Sequence, residues 1–419
     1  MKLRLSKFGR KLSARTGILE LMDDLGRALA HGEGVHMMGG GNPAHIPEME
    51  AAWRRQISAL LRQGGALEHT LGDYDEPQGA GEFIDALVEC FNNRYGWGLR
   101  RENIAVTNGS QTAFFMLFNM LAGEGEDGRR RKILLPLAPE YISYADQGIA
   151  EGLFVSLQPR IELLDRHAFK YHIDFDSLRP GDDIAALCVS RPTNPTGNVL
   201  TDGEMRRLAA LAAARGIPLL VDNAYGAPFP DILFTEAELS WNENVVLVFS
   251  LSKLGLPGVR TGIVIAAEEI VRAVSAMNAV VSLATGSVGP DLVAPLVRNG
   301  ELLRLSRDVV RPFYERKSKQ ALEDLRESFG ERFEYRVHKA EGAFFLWIWF
   351  KDLPVTAQEL YERLKARNVL VVPGHHFFYG LADDWRHRHE CIRITYTQPE
   401  RTVREGLRIV AEEVRKAFS

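Results

Sequence analysis

The sequence predicts an α/β protein: a large domain with a mostly parallel, seven-stranded sheet between helices, followed by a smaller α+β domain. Three observations carry that expectation. Seven short β-branched or apolar runs recur at residues 103–107, 132–137, 153–157, 184–190, 217–222, 245–250 and 262–266. Most are followed by helix-like stretches such as 111–121 and 202–215, and strands alternating with helices are the pattern of parallel crossovers. After about residue 300 the texture changes to a long charged helical stretch, 301–329. Shorter runs follow at 344–350, 369–372 and 391–396, with helices at 357–367 and at the end of the chain.

These elements divide the chain into an arm that contributes to the small domain (1–45), the large domain (46–300) and the small domain (301–419). No Pro/Gly/Ser-rich linker marks the last join, so two closely packed lobes are expected. The length, 419 residues, suits two or three folding units at roughly 100–200 residues each. Apolar residues make up 46% and charged residues 25%, which excludes the disordered and collagenous classes. Lys plus Arg number 51 against 55 Asp plus Glu, a net charge of −4. That balance gives no general attraction to nucleic acid or anionic lipid, so the expected partners are small molecules, with no nucleic acid and no membrane. The most apolar stretch, 279–297, is interrupted by Gly286, Gly289, Pro290, Asp291 and Pro295 and does not read as a membrane span.

Cys90, Cys188 and Cys391 lie far apart with no C-x-x-C pair, which favours neither a disulfide framework nor zinc and suits the cytoplasm. The first fifteen residues carry Lys2, Arg4, Lys7, Arg10, Lys11 and Arg15 with no acid and no apolar segment after them. This disfavours a secretory signal and leaves an organelle presequence or a docked basic arm.

Candidate chemistry gathers at strand ends. The strand at 217–222 ends in Asp222, with Tyr225 three residues on, and ligands of parallel sheets bind beyond the carboxyl ends of strands. Asp222 taken alone could simply cap a turn. The strand at 245–250 ends in Ser250 and runs into Ser252 and Lys253, where a desolvated amine could form a Schiff base with a carbonyl. Arg260 follows as a planar cation for a phosphate, or as one half of a surface ion pair. Gly109, Ser110 and Gln111 open the helix at 111–121, making either an anion cradle or an ordinary N-cap. Asn194 lies in Arg191-Pro-Thr-Asn-Pro-Thr-Gly197, a turn held by two prolines. An amine, a carboxylate, a phenol, an amide and an anion cradle with Arg are together the parts needed to hold pyridoxal 5'-phosphate.

With Asn194-Pro-Thr-Gly197, Asp222-x-x-Tyr225 and Ser250-x-Ser252-Lys253-x-x-x-Pro257-Gly-x-Arg260-x-Gly262 in this order, the sequence resembles the fold-type I pyridoxal-phosphate aminotransferases, the aspartate-aminotransferase-like group, over nearly its whole length. That resemblance implies that Lys253 carries the cofactor covalently and that Asp222 pairs with its pyridine nitrogen. It also implies that Tyr225 and Asn194 bond the ring hydroxyl, and that Ser250, Arg260 and the Gly109-Ser110-Gln111 turn hold the phosphate. Tyr141, in Pro139-Glu-Tyr141, matches the aromatic that stacks on the ring. Arg393 matches the arginine that grips the substrate carboxylate, with Asn194 and Gly41 beside it. Tyr74 and the segment 285–287 resemble residues that reach the neighbouring subunit's phosphate, which implies a homodimer with shared active sites. Arg260 stands seven residues after the lysine where many members have eight, so the loop should be locally shortened.

Within the group, the run Ser250-Leu-Ser-Lys-Leu-Gly-Leu-Pro-Gly-Val-Arg-Thr-Gly262 and the segment Gly39-Gly-Gly-Asn-Pro43 look closest to the valine–pyruvate branch. Residues 273–297 contain no Lys or Arg, so an apolar side chain, as in valine and alanine, is expected in place of a second carboxylate. The resemblance thus implies a ping-pong aminotransferase acting on such amino acids and 2-oxo acids. A lyase or a cyclising synthase shares every motif quoted. A ligand-sensing domain of a transcription regulator is more remote, because too few residues precede Gly39 for a helix-turn-helix module. Ser250-x-x-Lys253 with Arg260-Thr-Gly262 imitates acyl-hydrolase motifs, but at the wrong spacing. His375, His376, His387 and His389 lack H-E-x-x-H spacing and read as exposed loop residues, so no metal is expected.

Overall fold

A computed structural model describes residues 4–14, 23, 26, 34–331 and 333–419. The expected α/β architecture is present. The large sheet runs in the order Ile104–Thr107, Gly262–Ile265, Val245–Ser250, Leu219–Asp222, Ile184–Ser190 and Arg130–Leu135, with Phe154–Ser156 beside the last. All of these are mutually parallel except Gly262–Ile265, which is antiparallel to both of its neighbours. The sheet has eight strands rather than seven, because the two-residue Gly123–Glu124 pairs with the start of Arg130–Leu135. It is too short to leave a periodic signal in sequence.

The central strands are apolar along their whole length because helices cover both faces, as parallel sheets require. Their register brings the functional ends together: Ser190 and Val248 both pair with Asp222. Each strand then stops for a local reason. After Ser190 come Pro192 and Pro195, which have no N–H to continue a ladder. Asp222 Oδ1 accepts from the Ala224 N–H at 2.9 Å, and Ser250 Oγ accepts from the Ser252 N–H at 3.2 Å, so both carboxyl-end side chains start turns.

A second, six-stranded sheet runs Val372–Pro373, Cys391–Thr395, Phe345–Trp349, Arg336–His338, Ala168–His172 and Arg160–Leu163. Its last two strands come from the middle of the chain, within the stretch expected to belong wholly to the large domain. They escape a sequence reading because Arg160–Leu163 is short and mostly exposed, while the buried Ala168–His172 is interrupted by Lys170, so neither forms an apolar run. The single run expected at 369–372 divides, since Val369–Leu370 pairs in parallel with His36–Met37 while Val372–Pro373 joins Cys391–Thr395. The chain around residues 36–39 therefore lies against the second sheet, and the Thr395 N–H donates to the Met38 carbonyl at 2.7 Å.

The charged stretch after 300 is helical, but a π turn at Ser306–Val310 separates Glu301–Leu305 from Arg311–Phe329. Pro312, lacking an N–H, stands just after the slipped turn. In the basic N-terminal segment a short helix, Lys7–Leu12, is capped by Ser6, and Lys11 Nζ donates to the Ala150 carbonyl at 2.7 Å. Lys2 and Arg15 lie outside the described residues. Among the described residues no helix is long and apolar enough to cross a membrane.

One buried ion pair fastens the second sheet to the turn that carries Asn194. Lys170 Nζ, on Ala168–His172, contacts Glu341 Oε2 and donates to Asn198 Oδ1 at 3.0 Å and to the Val199 carbonyl at 2.9 Å. Without Lys170 the Glu341 carboxylate keeps the half-exposed Lys339 Nζ at 3.0 Å on Oε1 and the Val199 N–H at 3.1 Å on Oε2, but loses its buried cation. Lys170→Met should lower the free energy of unfolding by about 1–3 kcal/mol in urea titrations monitored by circular dichroism.

Candidate active site

A cavity of about 480 Å³ opens at the carboxyl ends of the central strands. It is lined by Ser110, Gln111, Tyr141, Asn194, Asp222, Tyr225, Ser250, Lys253, Arg260, Arg393 and Gly41, so that eleven of the sequence-predicted residues converge. Gly109, directly before the lining helix start, is in contact with Arg260. Tyr74 stands apart: it is 80% exposed and does not line the cavity. Of the segment expected to act with it, Ser287 Oγ donates to Asp75 Oδ2 at 2.6 Å and the Gly286 N–H to Asn108 Oδ1 at 3.1 Å.

Asp222 is held by two donors, the Ala224 N–H on Oδ1 and Tyr144 Oη on Oδ2 at 2.5 Å. Burial pushes its pKa up, while those two bonds and the charge of Lys253 favour the ionised form. Tyr144 was not among the predicted site residues. The available signal was its place three residues after Tyr141, on the same short turn, where the two rings meet edge to face at 5.3 Å.

Lys253 sits in the short 3-10 turn Leu251–Leu254. Its Nζ donates to the Gly41 carbonyl at 3.0 Å and lies 5.2 Å from the Tyr225 ring and 5.4 Å from the Phe344 ring. Burial, with the like charges of Arg393 and Arg260, brings its pKa down to about 8 against the opposing pull of Asp222. Such an amine is uncharged often enough near neutral pH to act as a nucleophile.

The seven-residue interval from Lys253 to Arg260 is spanned by that turn and a second one, Pro257–Val259, and Arg260 itself takes φ = 49°. This left-handed residue is the physical form of the shortened loop. Its guanidinium rests on Gly109, where φ is 86°, a conformation that favours glycine, and where an added Cβ would stand 2.4 Å from Nη2 and displace the guanidinium. The helix Ser110–Leu121 begins there, and its first internal bonds run from the Thr112 and Ala113 N–H groups to the Gly109 carbonyl. The Ser110 and Gln111 N–H groups precede them and are available to an anion, with Arg260 as counter-charge.

On the opposite wall Arg393, 2% exposed, donates to Asn194 Oδ1 and to the Gly39 carbonyl, both at 2.7 Å. It lies 4.3 Å over the Phe345 ring and 5.3 Å from Phe377. Burial lowers its pKa to about 10, so it remains a cation at neutral pH. Its bond to Oδ1 also fixes the Asn194 amide, leaving Nδ2 to donate elsewhere. Phe345 and Phe377 are further site components that carry no motif of their own, while Gly39 opens the Gly39-Gly-Gly-Asn-Pro43 segment.

The fit to pyridoxal phosphate can be tested on these atoms. Tyr225 Oη is buried without a hydrogen-bond partner, as is Arg393 Nε. A buried phenol left unpaired is costly, and a ring hydroxyl beside Asn194 would supply its missing partner. The residues therefore fit the cofactor.

Of the candidate histidines, half-buried His375 lies beside His376 at 4.0 Å and His389 at 5.9 Å, ring centroid to ring centroid, rather than in the exposed loop expected. His387 is buried rather than exposed, contacting Tyr171 Oη and stacking on Trp385 at 4.4 Å, and burial lowers its pKa to about 3. Its place among Trp349, Phe378 and Trp385 makes it a core residue. Among the described residues, no three His, Cys, Asp or Glu side chains are arranged to hold a metal ion.

The family model for aminotransferases of class I and II matches residues 45–410. The chain is 50% identical to the valine–pyruvate aminotransferase of Escherichia coli K12 over 414 residues, 99% of each chain. It superposes on a crystal structure of valine–pyruvate aminotransferase from Salmonella typhimurium LT2 with a TM-score of 0.88 at 47% identity, covering 96% of this chain and 99% of that one. An aspartate aminotransferase of Thermus thermophilus, at 22% identity and a TM-score of 0.78 over 98% of this chain and all of that one, shares the fold.

Tyr144→Phe removes a donor from Asp222 while keeping the ring in place. Because hydrogen bonds to charged groups contribute about 1.5–3 kcal/mol, pyridoxal phosphate should bind roughly ten- to a hundredfold more weakly, measured by equilibrium dialysis.

Proposed function

The chain belongs to the class I and II aminotransferases, and from that membership we propose that it moves the amino group between valine and pyruvate, yielding alanine and 3-methyl-2-oxobutanoate. The observation that carries this reading is the inventory of charge in the cavity. Among the described residues lining it, the cations are Lys253, Arg260 and Arg393. Covalent attachment, the phosphate and the α-carboxylate employ all three. None is left for a second carboxylate, and Met37, Phe114 and Ile142 add apolar surface. A one-methylene difference in such a pocket is worth only about 1–3 kcal/mol, so overlap with leucine, isoleucine or 2-aminobutyrate is expected.

Pyridoxal phosphate, when bound, supplies an aldehyde carbon and an electron-withdrawing ring. Lys253 Nζ would be the group that holds that carbon, and its neutral amine, when free, would be the base for the Cα proton. Asp222 keeps a proton on the ring nitrogen by remaining anionic, with Tyr144 and the Ala224 N–H sharing its charge. Tyr225 and Asn194 bond the ring hydroxyl, and Tyr141 covers the ring face. Ser110, Gln111, Ser250, Arg260 and the bare backbone of Gly109 receive the phosphate. Arg393 orients the substrate carboxylate with Asn194 and Gly41. Two half-reactions on one site give ping-pong kinetics.

The working unit is proposed to be a homodimer in which Tyr74 and residues 285–287 reach the other subunit's phosphate. Leu71, Tyr74, Val280, Val281 and Leu283, all more than half exposed, support it with an apolar surface that calls for a cover. The cysteines are all unpaired, which supports the cytoplasm as the location.

Incubating the protein with valine and pyruvate should form alanine. Release of ammonia without alanine would instead indicate a lyase. Lys253→Ala should abolish both turnover and the visible absorbance of the bound cofactor, and a variant with normal activity would remove Lys253 from its role. Because the amine must be uncharged to attack and its pKa is lowered to about 8, cofactor capture by the apo-protein should accelerate as pH rises through about 8 and level off above it. Stopped-flow absorbance measures this directly.

A further inference from the structure

Behind the cavity wall lies a carboxyl group that the chemistry above does not use. Glu140, one residue before Tyr141, is 1% exposed. Its Oε1 accepts from the Ser190 N–H at 2.7 Å. Its Oε2 shares a hydrogen bond with Ser190 Oγ and accepts from the Tyr141 N–H at 3.2 Å. The Glu140 N–H donates to the Phe377 carbonyl at 3.0 Å, tying the same residue to the turn whose aromatic ring faces Arg393. Ser190 is in turn the cross-strand partner of Asp222, and its carbonyl accepts from Thr193 Oγ1 at 2.9 Å, at the start of the turn bearing Asn194.

We propose that Glu140 is a positioning residue for the cofactor, fastening the backbone of Tyr141 to the Ser190 strand end so that the ring-face contact and the Asn194 contact keep a fixed separation. This rests on reading the cavity as a pyridoxal phosphate site. The geometry favours a side chain with acceptors on both oxygens, because three separate polar groups converge on it in a place without solvent. An apolar residue of the same size would leave the Ser190 N–H, the Ser190 hydroxyl and the Tyr141 N–H without a partner.

The charge state completes the argument. Burial raises the Glu140 pKa to about 8, and the negative charge of Asp222 acts in the same direction against the bonds from Ser190 and Tyr141. The other ionisable groups around it, Cys188, Tyr144 and Tyr379, are all pushed upward by burial as well and remain neutral. At neutral pH the carboxyl is therefore mostly protonated, and Asp222 remains the one anion facing the ring nitrogen. Toward Ser190 a carboxamide repeats the neutral acid, an acceptor for the N–H and a donor for Oγ, but its nitrogen cannot accept from the Tyr141 N–H.

The test compares Glu140→Gln, Glu140→Leu and Ser190→Ala with the unmodified holoenzyme. It reads the dissociation constant of pyridoxal phosphate and the visible circular dichroism of the bound cofactor, which reports how the ring is held. Neither readout needs an amino acid substrate. Glu140→Leu should weaken binding by about tenfold or more and diminish the dichroic band, and Ser190→Ala should do so by about threefold. Glu140→Gln keeps both bonds to Ser190 and loses only the one from the Tyr141 N–H, so its readouts should fall between those of the unmodified enzyme and of Glu140→Leu, with binding weakened by about threefold. A folded Glu140→Leu with unchanged affinity and dichroism overturns the proposal, and so does a Gln variant as impaired as the Leu one. If the Leu variant does not fold, Ser190→Ala decides, with unchanged readouts overturning the proposal and weakened ones supporting it. An unmodified protein that binds no pyridoxal phosphate would overturn the reading of the cavity itself, a result distinct from failure of Glu140 alone.

Discussion

The site depends on keeping one carboxylate charged where burial opposes it. Asp222 ends an apolar strand, and the low polarity that makes its charge effective also raises the cost of having it. The fold meets that cost with directed hydrogen bonds rather than with a salt bridge. The Ala224 N–H comes from the turn that Asp222 itself starts, and Tyr144 Oη comes from a separate turn packed on Phe114 and Phe118. A lysine placed in direct contact would neutralise the carboxylate. Lys253 instead points its amine at the Gly41 carbonyl and contributes only a through-space attraction.

The second lobe belongs to the site as much as the large sheet does. Arg393 stands on Cys391–Thr395, in the second sheet, yet it donates to Asn194 on the turn after a large-sheet strand and to Gly39 in the N-terminal segment. Three distant parts of the chain therefore share one guanidinium. The Lys170–Glu341 pair repeats the connection deeper in the molecule, reaching Asn198 and Val199 of the same turn. Gly342 packs so closely under this turn that an added Cβ would lie 2.5 Å from Pro192. These contacts place Arg393 relative to Asn194, and a shift of one lobe would change both together.

Much of this was legible in the sequence because the decisive side chains follow apolar strands in short motifs. Asp222, Ser250 and Lys253 could be placed at strand ends from hydrophobic runs alone, and seven of the expected strands lie within a few residues of their observed bounds. Other features depend on long-range pairing, which no local pattern records. The hairpin from Arg160 to His172 offers only a four-residue alternation in its first strand and a buried lysine in its second, and its place in the second sheet is set by the distant Arg336–His338. Tyr144 and Glu140 were hidden for another reason. Both flank a recognised aromatic, Tyr141, and their roles arise from contacts to residues 78 and 50 positions away. His387 misled in the opposite direction: a polar stretch suggested exposure, but three aromatic neighbours enclose it.

The arrangement of charge also explains why the cavity suits its ligands and not their neutral relatives. Arg260, Arg393 and a protonated Lys253 outnumber the single anion Asp222, an excess of cation in a poorly solvated space. A phosphate group carries about −1.5 to −2 charge near neutral pH and a substrate carboxylate one more, so the two anions together more than offset that excess. The lowered pKa of Lys253 is a consequence of the same imbalance, because Arg393 and Arg260 add to burial in disfavouring its proton. When anions occupy the places beside the two arginines, that repulsion falls and the amine holds its proton more readily.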